Sequence, residues 1–568
     1  MGSLEPLHLG VYIPEDQTDP MGVLGDHPKM TTIETHVGSP THDKSTGSSF
    51  VIATGLWITS SDHKKIGRLF IGWSLLIALG SAIVGAILGI ERMSPSSMQI
   101  FDGDAGLQLF SLYHYALVLG ILAPLFVGIA IAVVPMQIGS RAIAFPRLAQ
   151  LGFWAWLFGA VLVVISLVGN GGPGGGSKDL VDLYLLAVAL TAAGLLAASL
   201  SVATTVLTSR APGMALDMVP AFSWSALIGS VATLLSLPVT IGTAIYLYVD
   251  HENASLVFGG NKGISQFIGW STSQPMTFVF VIMAFGVLAE LAPVTARIRQ
   301  PLRPVVLGAL GLISSAVLGA VTQSAHVLDW SGTNSDKIKS AIPFLIFNGL
   351  PVLGALVVVA VSLLSLKMGK PVVSASFAFA ALGSLMILVG MAGNMISHIS
   401  SAALVGTSFS EGVVVYLAYG GILTALGALT HWAPKLWGVV LDNTKVLGLV
   451  GLGLLATIAA SFPMYIAGFA NQPADSVFGF EYDGPVALWN LLAAAGHALM
   501  ALTVVAFVFL LVAALRSGEQ ASDDPFDAHT LEWAIPSPAP TDNFASLAQV
   551  NSSEPLLDVK PSSQEVSA

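Results

Sequence analysis

Twelve apolar runs, each about 20 residues or longer, punctuate the chain and decide its fold class. A run of that length crosses a hydrocarbon core of ~30 Å as an α-helix, and a helix satisfies its own backbone hydrogen bonds where no water can reach. The predicted spans are 66–90, 108–136, 148–170, 181–208, 221–247, 270–295, 303–323, 341–366, 373–396, 411–434, 444–470 and 485–515. The class that follows is all-α: a polytopic membrane protein built as a bundle of twelve transmembrane helices. With 54% hydrophobic residues, 10% charged residues and a mean hydropathy of +0.79, the chain has too little charge to cover a water-soluble surface.

Loop charge orients the bundle. If the amino terminus is inside, fourteen lysines and arginines fall on inner loops and helix ends, from Lys64 to Arg516, against five on outer loops (Arg92, Lys178, Lys262, Lys337 and Lys339). The positive-inside bias then puts both termini in the cytoplasm, with the protein multi-pass in the membrane. The net charge of −11 belongs to the tails: residues 1–52 hold seven acids and two lysines, and residues 517–568 hold nine acids and one lysine. Three regions are expected: a disordered acidic tail (1–52), the membrane domain (53–516) and a second cytoplasmic tail (517–568). The amino tail has no apolar stretch of signal-peptide type, so the first span is expected to act as the membrane signal. No basic patch supports a nucleic-acid partner, and with no cysteine the chain has no disulfide and no thiolate metal site.

Several ordered fingerprints carry a family resemblance. They are Ser61-Asp62-His63-Lys64-Lys65-Ile66-Gly67 before the first span, Val134-Pro135-Met136-Gln137-Ile138-Gly139 with Ala144-Phe145-Pro146-Arg147 after the second, and Trp224 with Leu234 to Val239 in the fifth. His431-Trp432-Ala433-Pro434 closes the tenth, Phe462-Pro463 and Trp489-Asn490 mark the eleventh and twelfth, and Thr530-Leu531-Glu532-Trp533-Ala534-Ile535-Pro536 with Asn543-Phe544 follows them. Together they resemble subunit I of the haem-copper terminal oxidases, in order from about residue 57 to residue 544.

The resemblance implies three quasi-symmetric arcs of helices enclosing two haems and one copper, held by six histidines, with other membrane subunits as partners. Carried over position by position, those ligands are not found. In Trp270 to Phe278 the tryptophan and proline remain, while the copper histidine becomes Gln274, the proton-relay glutamate Met276 and the redox tyrosine Phe278. The adjacent histidine pair near the seventh span falls on Ser324 and Ala325, with His326 one position on. The spaced pair of the tenth span falls on Gly412 and Val414. An amide is a poor copper ligand beside imidazole, and methionine and phenylalanine release no proton.

The supporting groups follow the same pattern. The arginines implied to clamp haem propionates map onto Ala474 and Asp475, the proton-entry aspartate onto Ala142 and its neighbouring asparagine onto Ala149. The run Phe344 to Leu353 has no lysine for a second proton route. His114 lies two positions from the low-spin ligand position, which falls on Leu112, so at most one haem has a candidate ligand here. His114 is read either as that ligand, partnered by His326 or His398, or as a helix-end residue satisfied by water, Asp102 or Asp104. His63 and His431 read as scaffold. Glu290 and Glu411, near opposite helix ends, read either as functional groups of a transport path or as side chains that snorkel to water. Gly171 to Gly176 lacks the lysine of a phosphate loop and reads as an outer connection.

Three functions from different classes follow. The chain is read as a non-catalytic scaffold or accessory subunit of a respiratory or oxidative complex. The alternatives are an oxidase-like electron-transfer subunit with remodelled haem ligands, and a passage for an ion or small molecule through the vacated core.

Overall fold

The structure is a computed structural model that describes residues 55, 57, 59–93, 100, 101, 103–260, 263, 264, 267, 268, 276–322, 326–474, 485–547 and 549–559. The expectation for the acidic tail 1–52 lies outside them. Fourteen α-helices are named in chain order. They are α1 (His63–Glu91), α2 (Gly103–Gln137), α3 (Pro146–Val168), α4 (Lys178–Thr208), α5 (Ala221–Glu252), α6 (Met276–Ala296), α7 (Arg303–Ile313) and α8 (Ala316–Thr322). Then come α9 (Asn334–Met368), α10 (Ala375–Ser397), α11 (Ser408–Trp437), α12 (Asn443–Phe469), α13 (Val486–Ser517) and the short α14 (Pro555–Val559).

Eleven of the described helices are long and apolar enough to span a membrane. The seventh predicted span, 303–323, is interrupted: α7 stops at Ile313 and α8 starts at Ala316. The Ser314 hydroxyl donates to the carbonyl of Gly311 at 2.6 Å and the Ser315 hydroxyl to that of Ile346 at 2.9 Å. Serine hydroxyls that bond nearby carbonyls offer the backbone an alternative to the helical ladder, and hydropathy alone cannot see it.

Two helices widen for a different reason. Residues Ala116–Leu122 of α2 and Leu345–Gly349 of α9 form π-helical turns, followed at once by Pro124 and Pro351. Proline has no N–H for the i−4 carbonyl, and the wider turn absorbs the mismatch. Helix starts are fixed locally. Asp62, Ser374, Thr407 and Asp442 each accept a backbone N–H from the first turn of α1, α10, α11 and α12.

Three helices form the interior. The apolar windows of α2, α6 and α11 are 100%, 94% and 94% buried, against 28–61% for the other eight, which face lipid on one side. Neighbours approach through small residues, as membrane helices do. A side chain on Gly194 of α4 would stand 2.3 Å from the Trp156 nitrogen of α3, and one on Gly383 of α10 would stand 2.6 Å from the Gly420 carbonyl oxygen of α11. Helix α13 packs on α12 and returns to α1, closing the bundle.

Residues 518–559 fold back across one face, called here the tail side, where α1 begins. Lys64 Nζ donates to Asn543 Oδ1 at 3.0 Å and to the Thr541 carbonyl at 3.1 Å, and Asn543 Nδ2 donates to the Ser140 carbonyl at 2.8 Å. Lys435 Nζ donates to the Ile535 carbonyl. These bonds give the Glu532 to Phe544 fingerprint its physical meaning: it seals the ends of α1, α2 and α11.

Candidate functional site

Those suggested ligand positions that are described, on α2, α11 and around His398, lie toward the opposite, far side of the bundle. Gln274, Ser324, Ala325 and Asp475 fall outside the described residues, and of Met276 and Phe278 only the backbone is described. Gly412 and Val414 sit on α11, buried. A Cβ on Gly412 would lie 2.9 Å from Tyr465 Cδ1 and 3.0 Å from both Met464 Cβ and the Ser461 carbonyl oxygen. Tyr465 of α12 stacks on Phe409 at 4.2 Å between ring centroids and meets Tyr416 at 5.1 Å. Aromatic side chains therefore fill the space beside this turn of α11.

One residue before Gly412, Glu411 meets Arg92 of the α1 C-terminus. Arg92 Nη1 donates to Glu411 Oε2 at 2.8 Å, its Nη2 donates to the Ala474 carbonyl, and its guanidinium lies 5.5 Å from the Phe110 ring centroid. Glu411 does not reach water as the sequence suggested, because a cation is supplied inside the protein. Nor does Glu290, 6% exposed, which accepts the Phe222 N–H at 3.1 Å in the first turn of α5.

Next to the ion pair lies a cluster that the sequence reading missed. Tyr419 Oη of α11 and His497 Nδ1 of α13 are 2.7 Å apart, and Tyr113 of α2 meets the His497 ring edge-on at 5.7 Å. His114 packs against Phe110 at 4.4 Å and Tyr113 at 5.7 Å. Two polar atoms here, His114 Nε2 and Tyr113 Oη, are buried without a hydrogen-bond partner. Asp104 does not satisfy His114; its carboxylate accepts Asn170 Nδ2 at 3.3 Å. His497 and Tyr419 were legible only as polar groups inside apolar runs, a signal that marks function by default.

His326 and His398 do not join His114. Their rings stack on each other at 4.6 Å and 25°. His398 Nδ1 is 2.8 Å from the Asn394 carbonyl oxygen, and Asn394 Nδ2 donates to Asn348 Oδ1 at 2.9 Å beside the pair. Asn348 is the one polar side chain in the run where the resemblance implied a lysine.

On the tail side, His63 is 1% exposed, with Nε2 3.4 Å from Asn543 Nδ2. His431 lies between Phe526 and Trp533 at 4.9 and 5.0 Å. The Ala142 carbonyl accepts the Ser140 hydroxyl at 2.6 Å, and Ala149 is fully buried. Beyond the last span, Glu532 Oε1 accepts Gln137 Nε2 at 3.1 Å and Trp432 Nε1 at 3.2 Å. Burial raises the Glu532 carboxyl above its ordinary value, while hydrogen bonds from Gln137, its own backbone, Thr530 and Trp432 act the other way. The Gly171 to Gly176 connection folds onto α2, with the Gly172 N–H donating to Gln108 Oε1 at 2.7 Å.

Among the described residues, no group of three or more His, Cys, Asp or Glu side chains is arranged to hold a metal ion. Of the positions at which the resemblance implies imidazole ligands, those described, Leu112, Gly412 and Val414, carry none, and do not fit a haem there.

A bundle with three buried central helices, a helix ring closed from α13 to α1 and a tail docked across one face is a polytopic all-α membrane protein. The chain belongs to the Cytochrome C and Quinol oxidase polypeptide I family, whose profile matches residues 65–499. It is 29% identical to the putative cytochrome c oxidase subunit 1-beta of Streptomyces avermitilis, covering 89% of this chain and 92% of that protein. It is also 27% identical to cytochrome c oxidase subunit 1 of Alkalihalophilus pseudofirmus (88% and 82% covered) and to that of Bacillus subtilis (88% and 83%).

Proposed function

We propose that this chain is a scaffold or accessory subunit of an oxidase-like membrane complex, which keeps the subunit I fold without haem-copper chemistry. The observation that carries the reading is the packing at Gly412. Gly412 and Val414, the positions on α11 from which the resemblance implies histidine ligands, bear no donor side chain, and Tyr465 and Met464 stand where the first side-chain atom at Gly412 would project. The Arg92–Glu411 pair supports it, because this guanidinium, beside Ala474 at the implied propionate clamp, is already neutralised within the protein. Family members named as oxidase subunits suggest the setting: the bacterial plasma membrane, other membrane subunits as partners, and both termini cytoplasmic as the loop charges favour.

The test is a pyridine haemochrome spectrum of the chain purified in mild detergent, with iron and copper analysis. A protein free of both metals is expected; two haems per chain would overturn the reading. A second reading rests on the unbonded Nε2 of His114, which leaves an imidazole nitrogen free for one haem iron. It requires a haem absorbance that His114→Ala abolishes, and a spectrum unchanged by that substitution removes it.

A further inference from the structure

We infer that the notch beside the α7–α8 break is a binding site for one acyl chain of an anionic phospholipid, in the leaflet on the tail side. The notch has a volume of about 520 Å³. Leu227, Val231 and Leu235 of α5 form one wall, and Gly311, Leu312 and Leu318 of α7 and α8 the other.

Its chemistry selects hydrocarbon. The two hydroxyls at the break, Ser314 and Ser315, are turned into carbonyls of Gly311 and Ile346, so they are engaged by the protein backbone. The floor is bare at Gly311, where a Cβ would meet no heavy atom within 4 Å. The break therefore leaves a recess that the protein's own side chains do not fill, open at the lipid-facing surface where Val231 and Leu235 are 40% and 52% exposed.

Depth and charge select the headgroup. Gly311 lies eight residues into α7 from Arg303, about 12 Å along the helix axis, which is within one leaflet of a ~30 Å core. Arg210 stands at the tail-side end of the recess: its Nη1 donates to the carbonyl of Leu207, itself a wall residue, at 2.9 Å, and its Nε to the Met214 carbonyl at 3.2 Å. Arg303 holds the same connection through the Asp217 and Val219 carbonyls. Arg303 lines a separate small cavity with Glu290 and Glu554 and is also faced by Asp217, so its charge is largely met within the protein. The half-buried Arg210, fixed at headgroup level below the hydrocarbon recess, is the guanidinium that favours a phosphate carrying net negative charge.

The full chain in nanodiscs of equal phosphatidylglycerol and phosphatidylcholine, released and weighed by native mass spectrometry, tests the proposal. The wild type is expected to retain one phosphatidylglycerol, roughly tenfold in excess over phosphatidylcholine. Gly311→Phe fills the recess and is expected to lose it, while Gly448→Phe, at an equally open glycine of α12, keeps it. Val231→Trp blocks the recess from the opposite wall and serves if Gly311→Phe does not fold. Equal retention of the two lipids, retention by both blocking variants, or an isoprenoid quinone released in place of phospholipid would overturn it.

Discussion

Arg92 and Glu411 join the last turn of the first span to the first turn of the tenth, 2.8 Å apart, with side chains only 1% and 3% exposed. The geometry helps Glu411 twice, since a carboxylate in the first turn of a helix also meets the positive end of the helix dipole. Removing one partner leaves the other charge buried alone, which costs about 3–5 kcal/mol. Glu411→Gln is therefore expected to lower the thermal midpoint in detergent sharply, and Arg92→Met with Glu411→Gln to recover much of the loss. Equal losses in the single and double variants would mean that the pair is not coupled.

The docked tail is expected to respond to pH through Glu532. Its folded-state pKa is raised above the ordinary 4.5 by burial, so the docked form holds this proton more tightly than the released form. The Glu532 contribution to docking is complete below about 4.5 and is lost as pH rises through the folded value. Limited proteolysis of the segment after α13, between about pH 5 and 8, should cut faster toward the alkaline end. Glu532→Gln should flatten that profile; an unchanged slope would assign the response to another group.

Restoring a histidine at Gly412 is expected to fail as a route to haem binding. The new Cβ meets Tyr465, Met464 and the Ser461 carbonyl oxygen at 2.9–3.0 Å, and overpacking of this kind costs about 1–3 kcal/mol. Gly412→His should be less stable and show no haem absorbance. Stoichiometric haem in this variant would contradict the packing argument.

Asn543→Ala tests the seal itself. The substitution removes the acceptor of Lys64 Nζ and the donor to the Ser140 carbonyl, leaving buried groups unsatisfied at about 1–3 kcal/mol each. The expected result is faster proteolysis of residues 518–559 at every pH, with the α-helical circular dichroism of the bundle retained.

The all-α membrane class and eleven of the twelve predicted spans were legible in the sequence, because they depend on apolar length and helical backbone pairing, which are local. The break at Ser314–Ser315 was not, since it depends on where two hydroxyls find carbonyls, one of them on α9. The same limit hid the cluster around His497. His114 was visible beside a known type of ligand position, whereas Tyr419 and His497, 78 positions apart, meet only after α13 returns beside α11. Glu411 was misread as water-facing because Arg92, 319 positions earlier, carries no local sign of being its partner.

The packing of α13 against α1 has a temporal consequence. A chain that emerges from the ribosome amino end first must hold α1 beside α2 with one flank open until the remaining spanning helices are made. The ring closes only when α13 arrives, and the seal over Lys64, Gln137 and Lys435 only after that. The last contact of the ring therefore forms at the carboxyl end, and a ribosome that stalls before residue 486 leaves the flank of α1 without the helix that covers it.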